Sequence, residues 1–272
     1  MIPFTKAHAC SNDFLIVTEK AAAGHDKAAL TRRLCARNTG VGADGVEFFA
    51  WTGPTSGRVR LHNADGSIAE ISGNGTRCVA AWMAEALGCE AGDELKIATD
   101  AGLRVCHIDE VRADQEFTVE VTTAMGVPSF VPHTVRLADG LDVVGIEVST
   151  GNPHFVVVVD GAEFTVGGKP WTAVGAEICM HVDFPEQTNV EFVRVLSERE
   201  IEIRIFERGV GPTSSSGTGT SASATAMLAL HRCTSPLSVV APGGAQTVAW
   251  GGPGCELRLT GPAKLIAHGE AW

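Results

Sequence analysis

Two segments of one pattern, Ser72-Gly73-Asn74-Gly75-Thr76 and Ser216-Gly217-Thr218-Gly219-Thr220, lie 144 positions apart in a chain of 272 residues. Each opens an apolar stretch with helical character. At the start of a helix this composition makes an anion site. The first-turn N–H groups lack intrahelical partners, the helix end carries partial positive charge, and glycines let a ligand approach the backbone. Two such starts facing one another would hold a carboxylate, with Ser72 and Ser216 flanking the neighbouring carbon from opposite sides. That arrangement suits removal of a proton from one face and return of a proton to the other. The ordinary alternative is a pair of unrelated turns, since Gly, Ser and Thr clusters mark turns. A helix after each copy favours a true repeat and two related lobes.

Other polar clusters are candidates to converge on the same place: Ser11-Asn12-Asp13, residues 62–67, Gly151-Asn152-Pro153-His154, Thr188-Asn189 and Glu207-Arg208-Gly209. A single Asn is more often a turn residue than a ligand. Glu207-Arg208, between an apolar strand and a Gly-rich loop, can clamp an amine and a carboxylate or form a structural ion pair.

The elements that must carry these residues are mostly short strands. β-rich runs bounded by Gly, Asp, Asn or Pro occur at Phe14–Thr18, Val46–Trp51, Leu95–Ala98, Leu103–His107, Phe117–Val121, Phe155–Val159, Val190–Leu196, Ile201–Phe206 and Glu256–Thr260. Thr76–Leu87 has helical periodicity with Gly88 as its C′ residue, Ser221–Leu230 continues the second motif, and Ala21–Ala36 is a weaker helix candidate. Residues 209–230 carry no charge, which predicts a buried, tightly packed segment. Many strands and few helices predict an α+β fold. The polar stretch Arg112–Glu116 suggests the lobe boundary, giving 1–115 plus 262–272 and 116–261.

Composition narrows the function. The chain is 44% hydrophobic and 19% charged, in the globular range. A formal charge of −11 argues against nucleic acid and anionic membranes as partners. No apolar run reaches membrane-span length, and the first residues lack a secretory pattern, so a cytoplasmic location is expected. The eight cysteines show no CxxC pair and read as reduced, mostly buried thiols. No GxSxG motif or Ser–base pair marks a serine hydrolase. GVGADG at 40–45 precedes a strand rather than opening a helix, which argues against a dinucleotide fold.

The motifs NDF at 12–14, GADG at 42–45, HNADGS at 62–67, SGNGTRC at 72–78, GNPHF at 151–155, TNVEFV at 188–193 and ERGVGPTSSSGTGT at 207–220 resemble the diaminopimelate epimerase family in order and spacing. The resemblance runs from Phe4 to near His268. It implies two pseudo-symmetric α/β lobes with the active site in the cleft between them, and no PLP, metal or nucleotide. It further implies interconversion of LL- and meso-diaminopimelate, a precursor of lysine and peptidoglycan, by two cysteines that exchange the α-proton. Carried over residue by residue, Asn12, Asn63, Asn152, Asn189, Glu207 and Arg208 would contact the non-reacting end of the substrate. Gly73, Asn74, Gly217 and Thr218 would bind the α-carboxylate, and His154 would lie near the site or serve only packing. The partner expected is a small amino acid, and a homodimer is compatible with the resemblance.

Both catalytic cysteine positions are serine here, Ser72 and Ser216. A thiol starts near pKa ~8.5 and is lowered at helix N-termini, whereas a hydroxyl is far less acidic and needs an adjacent base. No such base is evident beside either serine in the sequence, and Cys78 is expected to face away on the following helix. The Ser/Ser pair therefore predicts impaired or altered turnover. Three readings stand together: an engineered Cys→Ser pair, a diverged natural member, and a non-catalytic amino-acid-binding protein or repurposed isomerase on the same scaffold. Pro212, where the family has Glu, and Gly45, where some relatives carry a polar substrate contact, favour divergence.

Overall fold

The computed structural model describes residues 1–69, 72–113 and 116–272. In chain order the elements are β1 (Ile2–Ala9), β2 (Asn12–Thr18), α1 (Lys27–Cys35), β3 (Gly45–Gly53), β4 (Ser56–Asn63), β5 (Ile68–Ala69), α2 (Gly73–Leu87), β6 (Glu94–Thr99), β7 (Gly102–Ala113) and β8 (Phe117–Gly126). There follow β9 (Ser129–Arg136), β10 (Asp142–Ser149), β11 (Pro153–Val158), β12 (Thr165–Val166), β13 (Lys169–Pro170), α3 (Trp171–Cys179), β14 (Asn189–Ser197) and β15 (Glu200–Glu207). The chain ends with β16 (Gly211–Thr213), α4 (Gly217–Ala229), β17 (Leu237–Ala241), β18 (Gly244–Ala249) and β19 (Leu257–Ala271).

Two compact units result, Met1–Ala124 with Thr260–Trp272, and Met125–Leu259. The boundaries fall inside β8 and β19, where the sequence reading placed them at 115/116 and 261/262. Of the polar stretch behind that reading, Asp114 and Gln115 lie outside the described residues.

In the first unit, pairing runs β1–β2–β3–β4–β6–β7–β8–β19 and returns to β1, closing a ring of eight strands. The β2–β3 and β4–β6 pairs are parallel; β1–β2, β3–β4 and β6–β7 are antiparallel. The second unit repeats this order of senses: β10–β11 antiparallel, β11–β14 parallel, β14–β15 antiparallel, β15–β17 parallel and β17–β18 antiparallel. The internal repeat read from the two Ser-Gly motifs is thus a repeat of topology.

Each unit buries one helix among its strands and packs a second on the other strand face. Cys78, Val79 and Met83 of α2 share a core with residues from all eight ring strands, including Ala7, Phe14, Phe49, Leu61, Leu95, Ile108, Val121 and Leu265. α1 covers the opposite face through Leu30 and Leu34 against Val46 and Phe48. In the second unit, Ala222, Ala226 and Met227 of α4 pack on Val193, Ile203 and Val239, whereas α3 packs on Val190 and Phe192. Strand alternation explains the split, since successive side chains point to opposite faces. α4 is buried from Gly217 to Met227 although it is rich in Ser and Thr. Ser221 Oγ donates to Gly217 O at 2.9 Å and Thr225 Oγ1 to Ser221 O at 2.8 Å, so these hydroxyls are satisfied within the helix.

α2 ends as the sequence predicts: Gly88 adopts φ 65° and its N–H reaches the carbonyls of Ala84 and Glu85. α3 was not foreseen. It starts at Pro170 without a side-chain cap, and Gly175 interrupts its sequence pattern because a Cβ there would meet Phe206 Cβ at 2.8 Å.

Candidate functional site

Ser72 and Ser216 are the N-caps of α2 and α4. Both have extended backbones, and each hydroxyl accepts the N–H of the residue three positions on: Gly75 N at 2.9 Å and Gly219 N at 3.2 Å. Gly73 and Asn74, and Gly217 and Thr218, form the first turns and are buried. Each unit therefore presents the serine-led helix start that the sequence pattern called for, at equivalent places in the repeat.

In the first unit the asparagines are tied into a chain of hydrogen bonds. Asn74 Nδ2 donates to Asn12 Oδ1 at 3.2 Å, and Asn12 Nδ2 donates to Asp44 Oδ2 at 2.6 Å. Arg37 then grips Asp44 at 2.6 Å and Asp13 through two bonds of 2.9 and 3.1 Å, with Lys6 3.1 Å from Asp13. Burial raises the Asp13 carboxyl, but the hydrogen bonds from Arg37 and Lys6 outweigh it and hold the group below its usual range. At the other end, Asn74 Oδ1 accepts from Arg77 Nη2 at 2.5 Å; Arg77 is fully buried, and its Nε and Nη1 have no hydrogen-bond partner among the described residues. Asn63 is brought near this group by backbone pairing of β3 with β4, opposite Gly45, but its amide turns back to Ser67 Oγ at 3.1 Å.

The second unit has its own chain. Ser216 Oγ lies 3.3 Å from Thr218 Oγ1, which accepts from Asn152 Nδ2 at 3.5 Å. Asn152 Oδ1 is 2.9 Å from His154 Nε2, and His154 Nδ1 is 2.8 Å from Glu191 Oε1. An amide oxygen only accepts, so the contact with Asn152 Oδ1 is made with the hydrogen on His154 Nε2, leaving Nδ1 toward Glu191. Burial pushes the Glu191 carboxyl up, with His154 opposing. Asn189 Nδ2 donates to Pro153 O at 3.1 Å, and its Oδ1 accepts the Arg208 N–H at 2.9 Å; the Arg208 guanidinium donates to Glu186 O at 2.9 Å. Glu207 ends β15, half-buried. A cavity of about 360 Å³ opens in this unit, lined in part by Glu147, Ser149, Asn152, His154, Glu186 and Thr188.

Two residues that the sequence reading passed over stand out. Glu47 on β3 and Glu191 on β14 are buried at 2% and 0% exposure. Each packs against the second glycine of its unit's Ser-Gly motif. A Cβ on Gly75 would overlap Glu47 Oε1 and lie 3.2 Å from Ser72 Cβ; one on Gly219 would lie 2.7 Å from Glu191 Oε1 and 3.3 Å from Ser216 Cβ. An ionisable side chain therefore does stand close to each serine, supplied by a strand rather than by a sequence neighbour. The signal was available: Val-Glu-Phe at 46–48 and 190–192 repeats at the same spacing of 144 as the two Ser-Gly motifs. Cys78 is fully buried with its thiol raised by desolvation. None of the eight cysteines is in a disulfide, and six are buried. Among the described residues no group of three His, Cys, Asp or Glu is placed to hold a metal, and no helix is long and apolar enough to cross a membrane.

The family profile described as "Diaminopimelate epimerase" matches residues 4–131 and 146–266. The chain is 37% identical over 279 residues to a protein named diaminopimelate epimerase from Desulforudis audaxviator, covering 98% of each. It is 36% identical over 293 residues to one of the same name from Thermosynechococcus vestitus, again covering 98% of each. Among solved structures, a Bacillus anthracis phenazine biosynthesis protein of the PhzF family superimposes with TM-score 0.73 at 17% identity, covering 100% of this chain and 99% of that one. A hydroxyproline epimerase from Agrobacterium vitis, with bound trans-4-OH-L-proline, gives TM-score 0.71 at 14% identity over 99% of this chain and 90% of that one. At such identities the structural likeness shows a shared fold.

Proposed function

Because this chain belongs to the diaminopimelate epimerase family, we propose that it takes up diaminopimelate and exchanges the proton on one α-carbon without PLP, using Ser72 and Ser216 where the resemblance expects two cysteines. The first-turn amides of Gly73, Asn74, Gly217 and Thr218 hold the α-carboxylate. Asn12, Asn63, Asn152, Asn189, Glu207 and Arg208 hold the end that does not react. The observation that carries this reading is the duplicated half-site: a Ser-capped helix start backed by a buried glutamate, once in each unit.

The serines set the pace. Each hydroxyl is neutral at working pH and must lose its own proton as it gains one from carbon, so exchange runs slower than with a thiol pair. Mismatched acid–base strength of this kind is worth about 10²–10⁴-fold. Incubation with LL- and with meso-diaminopimelate in deuterated water, followed by proton NMR, reads the exchange directly. Slow loss of the α-proton signal, accelerated in the Ser72→Cys/Ser216→Cys double variant, is the expected result. No exchange in either form would overturn the reading.

One observation favours a second reading, a silent amino-acid binder: both hydroxyls are already occupied as cap acceptors. Calorimetry separates the two. Binding of diaminopimelate without exchange, even after both serines become cysteine, would select the binder, and no binding at all would remove diaminopimelate as the ligand.

A further inference from the structure

Glu47 is a buried acid that no structural partner explains. On β3 it shares the face of Phe49 toward α2, while Val46 and Phe48 face α1. Its neighbours in register are Ile16 and Leu61. Its Oε2 is buried without a hydrogen-bond partner among the described residues. A leucine there would fill the wall without this cost, for an unsatisfied buried polar group costs about 1–3 kcal/mol and a charge more. Groups of this kind concentrate where chemistry uses them.

The surroundings say what the chemistry is. Glu47, Ser72, Thr76, Thr99 and Asp100 line one cavity of about 10 Å³, closed on its apolar side by Val59 and Leu61. That is at the lower limit of the space that admits one water molecule, with polar groups enough to bind it. Asp100 faces the cavity from the end of β6 and is paired with Arg60 at 3.1 Å. Arg77, one turn along α2, is turned instead toward Asn74.

We propose that Glu47 is the proton acceptor of the Ser72 hydroxyl, acting across the cavity the two residues share. As the Cα–H bond of the substrate breaks, its proton forms a new O–H bond at Ser72 Oγ and its electron pair stays on carbon. The original hydroxyl proton passes to the Glu47 carboxylate, whose negative charge is thereby transferred to the substrate. No other reactant is needed. Glu47 is a positioning residue: it acts through Ser72 and does not touch substrate. Burial pushes its carboxyl up to about 8, which makes its ionised form a far stronger base than an ordinary glutamate.

The inference rests on Ser72 being a proton-exchanging group, and its first test needs no substrate. In Ser72→Cys protein, the rate of iodoacetamide alkylation at position 72 is measured by peptide mass spectrometry from pH 6 to 10, with and without Glu47→Gln. With Glu47 present, ionisation of its carboxyl near pH 8 disfavours the neighbouring thiolate and bends the profile a second time. Glu47→Gln removes that bend and raises the rate above pH 8 by about tenfold, the two forms agreeing at pH 6. Superimposable profiles would overturn the proposal. Glu47→Met repeats the comparison with an apolar wall residue, so a folding defect in one variant leaves the test intact. In the deuterium assay on the serine protein, Glu47→Gln is expected to lower kcat and leave KM unchanged. If neither the serine protein nor its double cysteine variant shows exchange while the alkylation profiles differ, the diaminopimelate reading fails and the coupling of Glu47 to position 72 stands.

Discussion

Replacing Glu47 by methionine should make the protein less sensitive to alkaline pH, by an amount that follows from its burial. The native carboxyl is pushed from its ordinary value of 4.5 to about 8 by desolvation alone. Its folded-state pKa lies above the unfolded one, so between these values the native state binds a proton that the unfolded state has released. The contribution of Glu47 to stability is full below about pH 4.5, falls as pH rises, and is lost by about pH 8. At about 1.4 kcal/mol per pH unit the loss over this span is at most about 5 kcal/mol. Native stabilities are only about 5–15 kcal/mol, so an effect of that size is easily seen. Urea unfolding at pH 5 and at pH 8.5 provides the assay, with tryptophan fluorescence as the probe. Trp82 packs against the same core, its ring centroid 4.9 Å from Phe49, and Trp51 lies at the core's exposed edge, 5.0 Å from Phe49. Every other titrating group is common to native protein and Glu47→Met and cancels in the difference. The expected result is a Glu47→Met advantage that grows by several kcal/mol from pH 5 to pH 8.5. A difference that stays constant between the two pH values would refute the buried, raised carboxyl.

Gly75→Ala should destabilise by about 1–3 kcal/mol, because its Cβ would overlap Glu47 Oε1; combining it with Glu47→Ala should recover part of the loss in a double-mutant cycle read by urea unfolding. Ser72→Ala and Ser216→Ala each remove a helix cap and should cost about 1 kcal/mol in thermal or urea unfolding. Arg37→Ala should release Asp44 and Asn12 and, on the proposed reading, weaken diaminopimelate binding in calorimetry. The same change should flatten the acid limb of the stability curve. Asp13 is held below its ordinary value of 3.8 in the folded state, so its contribution is present above that value and lost as pH falls through the lower folded one; without Arg37 there is less to lose.

The repeat was legible because it is written in backbone requirements. Ser at the cap and Gly in the first turn recur wherever a helix start must satisfy its own N–H groups and admit close neighbours, so Ser72–Thr76 and Ser216–Thr220 announce two helices and a relation between them. Most strands were legible from short β-branched runs. α3 was not, because its start at Pro170 has no side-chain cap and its hold on the sheet comes from Val174 and Ile178 meeting Val190 and Phe192. The asparagine sets could be named but not grouped: that Asn12 meets Asn74, and Asn152 meets Thr218, depends on helix starts 62 and 66 positions away. Glu47 and Glu191 were hidden for a related reason. A charged residue inside an apolar strand reads as an outward-facing position until the helix packed on that face is known.

That packing also shows where the two half-sites part company. The strand positions that face the glutamates' neighbours correspond in register: Phe14 stands opposite Gly45, and His154 stands opposite Asn189. In the second unit the imidazole gives Glu191 a hydrogen-bonded partner at 2.8 Å. In the first unit a phenyl ring occupies the equivalent place, and Glu47 has no such partner. A proton exchanger built from two copies of one half-site would begin with both sides in the same protonation state, able to give or to take but not both at once. On the proposed reading, the exchange of Phe for His breaks that symmetry: one carboxyl is held in a hydrogen-bonded pair with an imidazole, and on the other burial acts alone. The duplicated backbone supplies two Ser-capped helix starts, and on the proposed reading a single difference in the strand beside each glutamate gives them unequal work.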